Sequence, residues 1–187
     1  YERLKNLGAV FGAKFGWERA NFFTEKNEKQ EDDWSFRMSN WFKNVERECK
    51  NVRENVGLLD MTAFAKCRIK GPGAEEFLDN LVANKLPKKI GRINLCHALN
   101  TKGGVHSEFT IMREAEDSFY LVSAGAFQRL DHDWIHKWMP KDGSVQFENL
   151  TNSNGVLVVS GPKARELMQR VSTDDFSNEN FKWLSAK

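Results

Sequence analysis

The chain has 187 residues, with 28 basic and 26 acidic side chains, a formal net charge of +2 and 40% hydrophobic residues. This is the composition of an ordinary globular protein, and so small a net charge gives no reason to expect nucleic acid or an anionic membrane as a partner. No run of about 18 apolar residues occurs, so no membrane-spanning helix is predicted.

Cysteine and histidine usage narrows the chemistry further. The three cysteines, Cys49, Cys67 and Cys96, are widely spaced and odd in number. They therefore predict a reducing compartment and no disulfide framework. We expect the cytoplasm, or the mitochondrial matrix if the source is eukaryotic. His132 and His136 lie four residues apart, but no third ligand is evident, so no metal site is predicted.

The first third of the chain is rich in glycine and aromatic residues. Apolar residues recur at helical spacing at Leu4, Leu7, Phe11 and Phe15. That spacing predicts helix for part of residues 1–24. Residues 25–33 are polar and are predicted to be a loop. Residues 39–56 are predicted to be a helix, with Ser39 as its N-cap and Gly57 as its stop.

The middle of the chain alternates between strand and helix patterns. Residues 58–71 are predicted to hold a strand that ends at Gly71-Pro72, and residues 74–84 to form a helix. Three strand candidates follow, with the sequences INLCHAL, HSEFTIMR and SFYLVSAG. The turn signal TKGG at 101–104 predicts that the first two form a β-hairpin. Residues 126–139 are predicted to be a helix, and residues 145–149 a short strand.

A strand–Gly-Pro–helix pattern occurs twice. KCRIKGPGAEEFLDNLV holds Gly71-Pro72, and GVLVVSGPKARELMQRV holds Gly161-Pro162. Gly-Pro before a helix is common by itself, and that interpretation stays open. Taken with the matching flanks, the two units and the hairpin between them predict an α+β fold with helices packed on a mixed or antiparallel sheet.

The hairpin NTKGGVHSEFTI is the best candidate for a site. A Gly-Gly turn lets the backbone come close to a ligand. Just beyond it, Glu108 stands in a strand otherwise suited to burial, where an unpaired carboxylate would be costly. The alternative, that Glu108 points to solvent, stays open. Elsewhere, the glycine-rich GAVFGAKFG does not match G-x-G-x-x-G, so no nucleotide-binding loop is predicted.

Several strings in the same order resemble a known family. They are VRENVGLLDMTAFAKCRIKGPGAEEFLDNLVAN, GRINLCHALNTKGGVHSEFTI, FYLVSAGAF and GVLVVSGPKARELM. They resemble the folate-binding domain of dimethylglycine/sarcosine dehydrogenase-like enzymes, within the superfamily of the glycine-cleavage T-protein, an aminomethyltransferase. The stretch before them resembles the segment that joins the flavin domain to the folate domain.

The resemblance implies an enzyme in which an absent N-terminal FAD domain oxidises an N-methylated glycine. The folate domain then passes the one-carbon unit to tetrahydrofolate, giving 5,10-methylenetetrahydrofolate. Residues 1–47 would end the flavin-domain region, and residues 48–187 would form a folate-binding domain that is incomplete at its C-terminus. A fragment of this kind is expected to bind folate weakly.

The resemblance also implies site residues. The acid beyond the Gly-Gly turn would act on the folate amine, and the matching position is Glu108. The T-protein has Asp-Asp where this chain has Ser107-Glu108. The pterin pocket would be walled by Leu99, Asn100, Gly103, Gly104, Tyr120 and Ser123. His97 is predicted to be a structural histidine, and Asp60 a turn or cap residue.

Two alternatives stay open. One is a stand-alone aminomethyltransferase of the glycine-cleavage type, which the resemblance of the N-terminal stretch argues against. The other is a non-catalytic folate-binding or regulatory module of the same fold, because a fold does not determine a function.

Overall fold

A computed structural model describes residues 1–187. The chain divides into two units, each discontinuous in sequence. The first unit comprises Tyr1–Leu59 and Val158–Asp174, and the second comprises Asp60–Leu157 and Asp175–Lys187.

The first unit begins with a short helix and a β-hairpin. Helix α1 is Glu2–Asn6, strand β1 is Ala9–Lys14 and strand β2 is Trp17–Phe23. Phe15 and Gly16, the two residues between the strands, both have positive φ, 53° and 82°. Two positive φ values in a two-residue loop are what a type I′ hairpin turn requires.

This hairpin corrects the helix predicted for part of residues 1–24. The helix covers Glu2–Asn6 only, and Phe11 and Phe15 lie in the hairpin instead. Residues 9–23 form two paired strands and not a helix, although their apolar residues have helical spacing. The pairing is possible because Gly16 supplies the turn and Lys14 pairs directly with Trp17.

The rest of the first unit is a helix and one strand–helix pair. Helix α2, Phe42–Glu54, confirms the predicted helix, but no side chain caps its N-terminus and Ser39 lies outside it. Strand β3, Gly57–Asp60, forms a two-stranded sheet with β9, Leu157–Ser160. The last residue of β3 and the first residue of β9 belong to the second unit. Helix α5, Ala164–Val171, follows β9.

The second unit contains a five-stranded antiparallel sheet in the order β5-β6-β7-β4-β8. Its strands are β4 Ala65–Lys70, β5 Ile93–Leu99, β6 Val105–Ala115, β7 Ser118–Ser123 and β8 Gln146–Asn149. The predicted hairpin is confirmed, since β5 pairs antiparallel with β6 across the TKGG turn.

Two helices cover one face of this sheet. They are α3, Ala74–Leu81, and α4, Gln128–Trp138, which is preceded by a 3-10 turn at Gly125–Phe127. The core joins helix residues such as Leu78 and Ile135 to alternate residues of the strands. The opposite face of the sheet carries none of this core and is called here the open face.

The predicted repeat is real at the level of the backbone. Gly71 and Gly161 have φ of 119° and 129°, and each is followed by an eight-residue helix. In both copies the residue three positions after this glycine donates its N–H to the glycine carbonyl, at 2.9 and 3.0 Å. The α+β fold with helices on an antiparallel sheet is confirmed. None of the helices is both long enough and apolar enough to cross a membrane.

Candidate functional site

The turn between β5 and β6 is built by three of the predicted site residues. The Oδ1 atom of Asn100 accepts hydrogen bonds from the N–H groups of Lys102 and Gly104, at 2.9 and 3.1 Å. Gly103 has φ of 79°, a conformation that favours glycine. Asn100, Gly103 and Gly104 therefore shape the turn.

Glu108 lies on the open face. Its neighbours Ser107 and Phe109 are buried on the helix side, because successive side chains of a strand point to opposite faces. The side chain of Glu108 is 63% exposed. The interpretation in which Glu108 avoids the core and faces solvent is the one observed.

Glu108 is nevertheless partnered. His97 pairs with it across the strands, and the His97 Nε2 atom lies 3.1 Å from Glu108 Oε2. The other ring nitrogen, Nδ1, lies 3.3 Å from Oδ1 of Asn84. The same Asn84 oxygen accepts the backbone N–H of His97 at 2.7 Å. Asn84, His97 and Glu108 therefore form a hydrogen-bonded chain that ends at an exposed carboxyl group.

The open face that carries His97 and Glu108 is partly apolar. Tyr120 belongs to it, because Tyr120 pairs with Met112 on β6, and Met112 alternates with Thr110 and Glu108. The Tyr120 hydroxyl accepts a hydrogen bond from Asn154 at 3.4 Å. Other apolar residues of this face are Leu95 and Val122, which both pair with Thr110, and Met112, which lies four residues beyond Glu108 on β6.

Basic groups of β4 lie further along the same face. Lys66 is fully buried, and its Nζ donates to the carbonyl of Thr62 at 2.7 Å. This burial lowers the pKa of Lys66. Arg68 donates to both oxygens of Glu114, at 2.6 and 3.0 Å, and to Glu148 at 3.0 Å. The hydrogen bonds from Arg68 hold the pKa of Glu114 below its ordinary value.

Two predicted residues line a separate cleft on the helix side. The cleft has a volume of about 270 Å³ and is lined by Phe77, Asn80, Leu81, Leu99, Asn100, Thr101, Trp134 and Trp138. Glu108 does not line it. Leu99 and Asn100 thus adjoin the turn but lie apart from the carboxyl group.

Ser123 is also away from Glu108. It is buried, and its hydroxyl donates to Oδ2 of Asp131 on α4 at 2.6 Å. The structure therefore brings Glu108 and Tyr120 to one face and leaves Ser123 on the other. Asp60 has the predicted turn role, since its Oδ1 accepts the N–H of Thr62 at 2.9 Å.

Sequence reasoning missed Asn84 and gave His97 only a structural role. The signal for His97 was weak, because the residue that faces Glu108 depends on the register of the hairpin. A β-bulge between Ala98 and Leu99 shifts that register by one residue. Without the shift His97 would pair with Ser107, so the local sequence alone does not place it opposite Glu108.

The arrangement is suited to accepting a proton from a bound ligand. An exposed carboxylate can reach a ligand atom, a tyrosine ring and aliphatic side chains offer a surface for a flat ring, and a histidine backs the carboxylate.

Comparison with known proteins places the chain in a family. Residues 1–187 match the family described as the GCVT N-terminal domain. The chain is 35% identical to human mitochondrial dimethylglycine dehydrogenase over 188 residues, which is all of this chain and 22% of that protein. It is 31% identical to the mouse mitochondrial pyruvate dehydrogenase phosphatase regulatory subunit over 192 residues, again all of this chain and 22% of the relative.

The chain therefore spans about a fifth of the length of these relatives. Among solved structures, the glycine cleavage system aminomethyltransferase T from Bartonella henselae superposes with a TM-score of 0.74 at 24% identity. That superposition covers 91% of this chain and 42% of the other, and it shows the fold. The chain belongs to the GCVT N-terminal domain family.

Proposed function

We propose that this chain is the folate-binding part of an FAD-dependent N-methylglycine dehydrogenase. In this proposal it passes the oxidised methyl group of dimethylglycine or sarcosine to tetrahydrofolate, giving 5,10-methylenetetrahydrofolate. The observation that carries the proposal is the position of Glu108, an exposed carboxyl group just beyond the Gly-Gly turn, on a sheet face with Tyr120.

The family and the similarity to dimethylglycine dehydrogenase support this choice. The open face adds chemical support. Tetrahydrofolate supplies a nucleophilic amine to which the one-carbon unit can be joined. Leu95, Met112, Val122 and the Tyr120 ring offer an apolar surface for the pterin, and Glu108 offers an acceptor for the amine proton.

Glu108 would act in two ways. Its carboxylate accepts the proton that the amine must lose as the new C–N bond forms. Before that step, its negative charge favours a positively charged carbon nearby. Asn100, Gly103 and Gly104 contribute by holding the turn that carries the strand.

The remaining parts of the proposal concern the whole protein. Residues 1–47 end the flavin-domain region, residues 48–187 form the folate-binding domain, and FAD is held by residues outside this chain. The mitochondrial matrix is the proposed location, because two similar relatives are mitochondrial proteins.

The test is Glu108→Ala in the complete enzyme, with dimethylglycine, sarcosine and tetrahydrofolate. We expect the yield of methylenetetrahydrofolate to fall by about 100-fold or more, the usual contribution of a positioned proton acceptor. Flavin reduction should continue unchanged. Glu76→Ala, which removes an exposed carboxyl group from α3, is the matched control. An unchanged yield in Glu108→Ala would remove Glu108 from the mechanism.

A regulatory module is the second candidate function, favoured by the similarity to the phosphatase regulatory subunit. Binding and turnover separate the two. If the complete protein binds tetrahydrofolate but neither dimethylglycine nor sarcosine reduces its flavin, the regulatory function is supported and the dehydrogenase is not.

A further inference from the structure

The hydrogen-bonded chain behind Glu108 has a fixed direction. The side-chain amide of Asn84 is oriented with its oxygen, Oδ1, toward His97, because this atom accepts the backbone N–H of His97 at 2.7 Å. An amide NH₂ group in that place could not accept this hydrogen bond. The nearby Nδ1 atom of His97, at 3.3 Å, must therefore carry a proton, since a lone pair there would face another lone pair.

The proton on Nδ1 determines what Nε2 can do. A neutral imidazole with Nδ1–H has a lone pair on Nε2. That lone pair faces the Glu108 carboxyl group at 3.1 Å. Two acceptors do not attract each other, so the observed contact is that of the pair with one proton already held between Nε2 and Oε2. The form of the pair without this proton is the one that can take a proton from a ligand. The geometry is that of a pair holding a proton at the end of the chain.

We propose that Asn84 fixes His97 as the Nδ1–H tautomer, so that His97 Nε2 receives the proton which Glu108 takes from its ligand. This inference rests on the proposed function, because it assigns the origin of the proton to the tetrahydrofolate amine. His97 acts through Glu108 and is therefore a positioning residue.

The step starts from the pair without its shared proton, in which Glu108 is a carboxylate and His97 is a neutral imidazole with Nδ1–H. The amine N–H bond breaks as the nitrogen joins the one-carbon unit, and the proton goes to a Glu108 oxygen. From there it moves to His97 Nε2, giving an imidazolium beside a carboxylate. Nδ1–H stays bonded to Asn84 throughout. Glu108 is then again a negatively charged group.

Other charged groups on the open face are engaged elsewhere. From β4, Lys66 donates to the Thr62 carbonyl, and Arg68 is held by Glu114 and Glu148. Lys70 lies within 3.8 Å of Glu148. From β7, the Tyr120 hydroxyl contacts Asn154. His97 is thus the ionisable side chain bonded to Glu108, and its side chain is 31% exposed, so most of it is shielded from water.

The first test is spectroscopic and needs no turnover. The full chain is labelled with ¹⁵N-histidine, and long-range ¹H–¹⁵N correlations report the protonation of each ring nitrogen. His97→Gln identifies the His97 signals among the four histidines. We expect Nδ1 of His97 to be protonated whether or not Nε2 is, and this preference to be lost in Asn84→Leu. An unprotonated Nδ1 with a protonated Nε2 in the unsubstituted chain would overturn the inference.

The second test uses product yield in the complete enzyme. His97→Gln keeps a side chain that can bond to Glu108 but that cannot take up a proton, so we expect about a tenfold loss of yield and an altered pH profile. Asn84→Leu should lose as much. Asn84→Asp should keep most of the yield, because a carboxylate oxygen also accepts Nδ1–H. His136→Gln, on α4, is the histidine control.

The outcomes separate the two proposals. If Glu108→Ala lowers the yield but His97→Gln matches the unsubstituted enzyme in yield and pH profile, the role of His97 is wrong and the proposed function stands. If Glu108→Ala leaves the yield unchanged, the role proposed for Glu108 fails, and the assignment of the proton to the folate amine fails with it.

Discussion

The two strand–Gly-Pro–helix copies share a backbone but not an environment. Helix α3 of the second unit buries Ala74, Phe77, Leu78 and Leu81 against its sheet. Helix α5 of the first unit has apolar residues at the same four positions, and none of them is buried. Val171, which matches Leu81, is 71% exposed. Local sequence thus sets the turn and the helix, whereas burial depends on which other strands the helix meets.

The sheets explain this difference. Strand β4 lies inside a five-stranded sheet, between β7 and β8. Strand β9 has β3 as its single partner, and Leu58 and Leu59 of β3 are exposed, as is Leu157 of β9. A two-stranded sheet offers little surface for a helix to cover. Helix α3 therefore buries much more apolar surface than α5, although both helices have apolar residues at the same four positions.

The largest expected effect is at the matching positions Leu78 and Met168. Leu78→Ala removes a fully buried side chain and should lower the free energy of unfolding by about 2–5 kcal/mol. Met168→Ala removes a half-buried one and should cost about 1 kcal/mol or less. Urea unfolding of the full chain measures both. Equal losses would mean that α5 is packed as tightly as α3, and the comparison would fail.

Substitutions at the two glycines should instead show what the copies share. Gly71→Ala and Gly161→Ala each place a Cβ atom 2.4 Å from a carbonyl oxygen, of Ser144 and Asn55, at a positive φ. Each should lower the free energy of unfolding by about 1–3 kcal/mol. Gly143→Ala has a positive φ but no atom within 4 Å of the added Cβ, so it reports the backbone cost alone. A neutral Gly161→Ala would show that the second turn is only loosely formed.

The smallest expected effect on stability comes from breaking the ion pair between Glu75 of α3 and Arg113. Glu75, in the first turn of α3, accepts hydrogen bonds from Arg113 at 3.0 and 2.8 Å, and these bonds lower the pKa of Glu75. Because the carboxylate is stabilised in the folded state, its contribution is present above the ordinary carboxyl pKa. It is lost as the pH falls through the lowered value.

Glu75→Gln should therefore reduce stability by under about 1 kcal/mol at pH 7, since Glu75 is half-exposed. The difference from the unsubstituted chain should vanish in acid. Thermal unfolding at several pH values measures this. A difference that persists unchanged at the lowest pH would mean that the Arg113 bonds act through geometry and not through charge.

Much of the fold could be predicted from sequence because its signals are local. The strand INLCHAL coincides with β5, the Gly-Gly turn joins β5 to β6, and the second Gly-Pro pair marks α5 as the first marks α3. Glycine, proline and period-two alternation act over a few residues, so they can be recognised without a structure.

The features that escaped prediction are non-local. The hairpin of β1 and β2 replaced a predicted helix because Phe11 pairs with Ala20, nine residues away. The contact between His97 and Glu108 depends on the bulge at Ala98, which is set by the whole hairpin. Asn84 lies thirteen residues before His97 in the chain, and no pattern links an isolated asparagine to a strand. The carboxyl group of Glu108 could be predicted as a site residue from the sequence, but its hydrogen-bond partners, His97 and through it Asn84, could not.

The small sheet of β3 and β9 has a consequence for the behaviour of the chain at high concentration. Each strand has one partner, so both outer edges present unpaired backbone groups, beside leucines that face water. Long edges of this kind recruit strands from other molecules and promote aggregation. Here each strand has only four residues. An incoming strand would gain few hydrogen bonds at an edge this short. The short length of β3 and β9 therefore limits aggregation through this sheet.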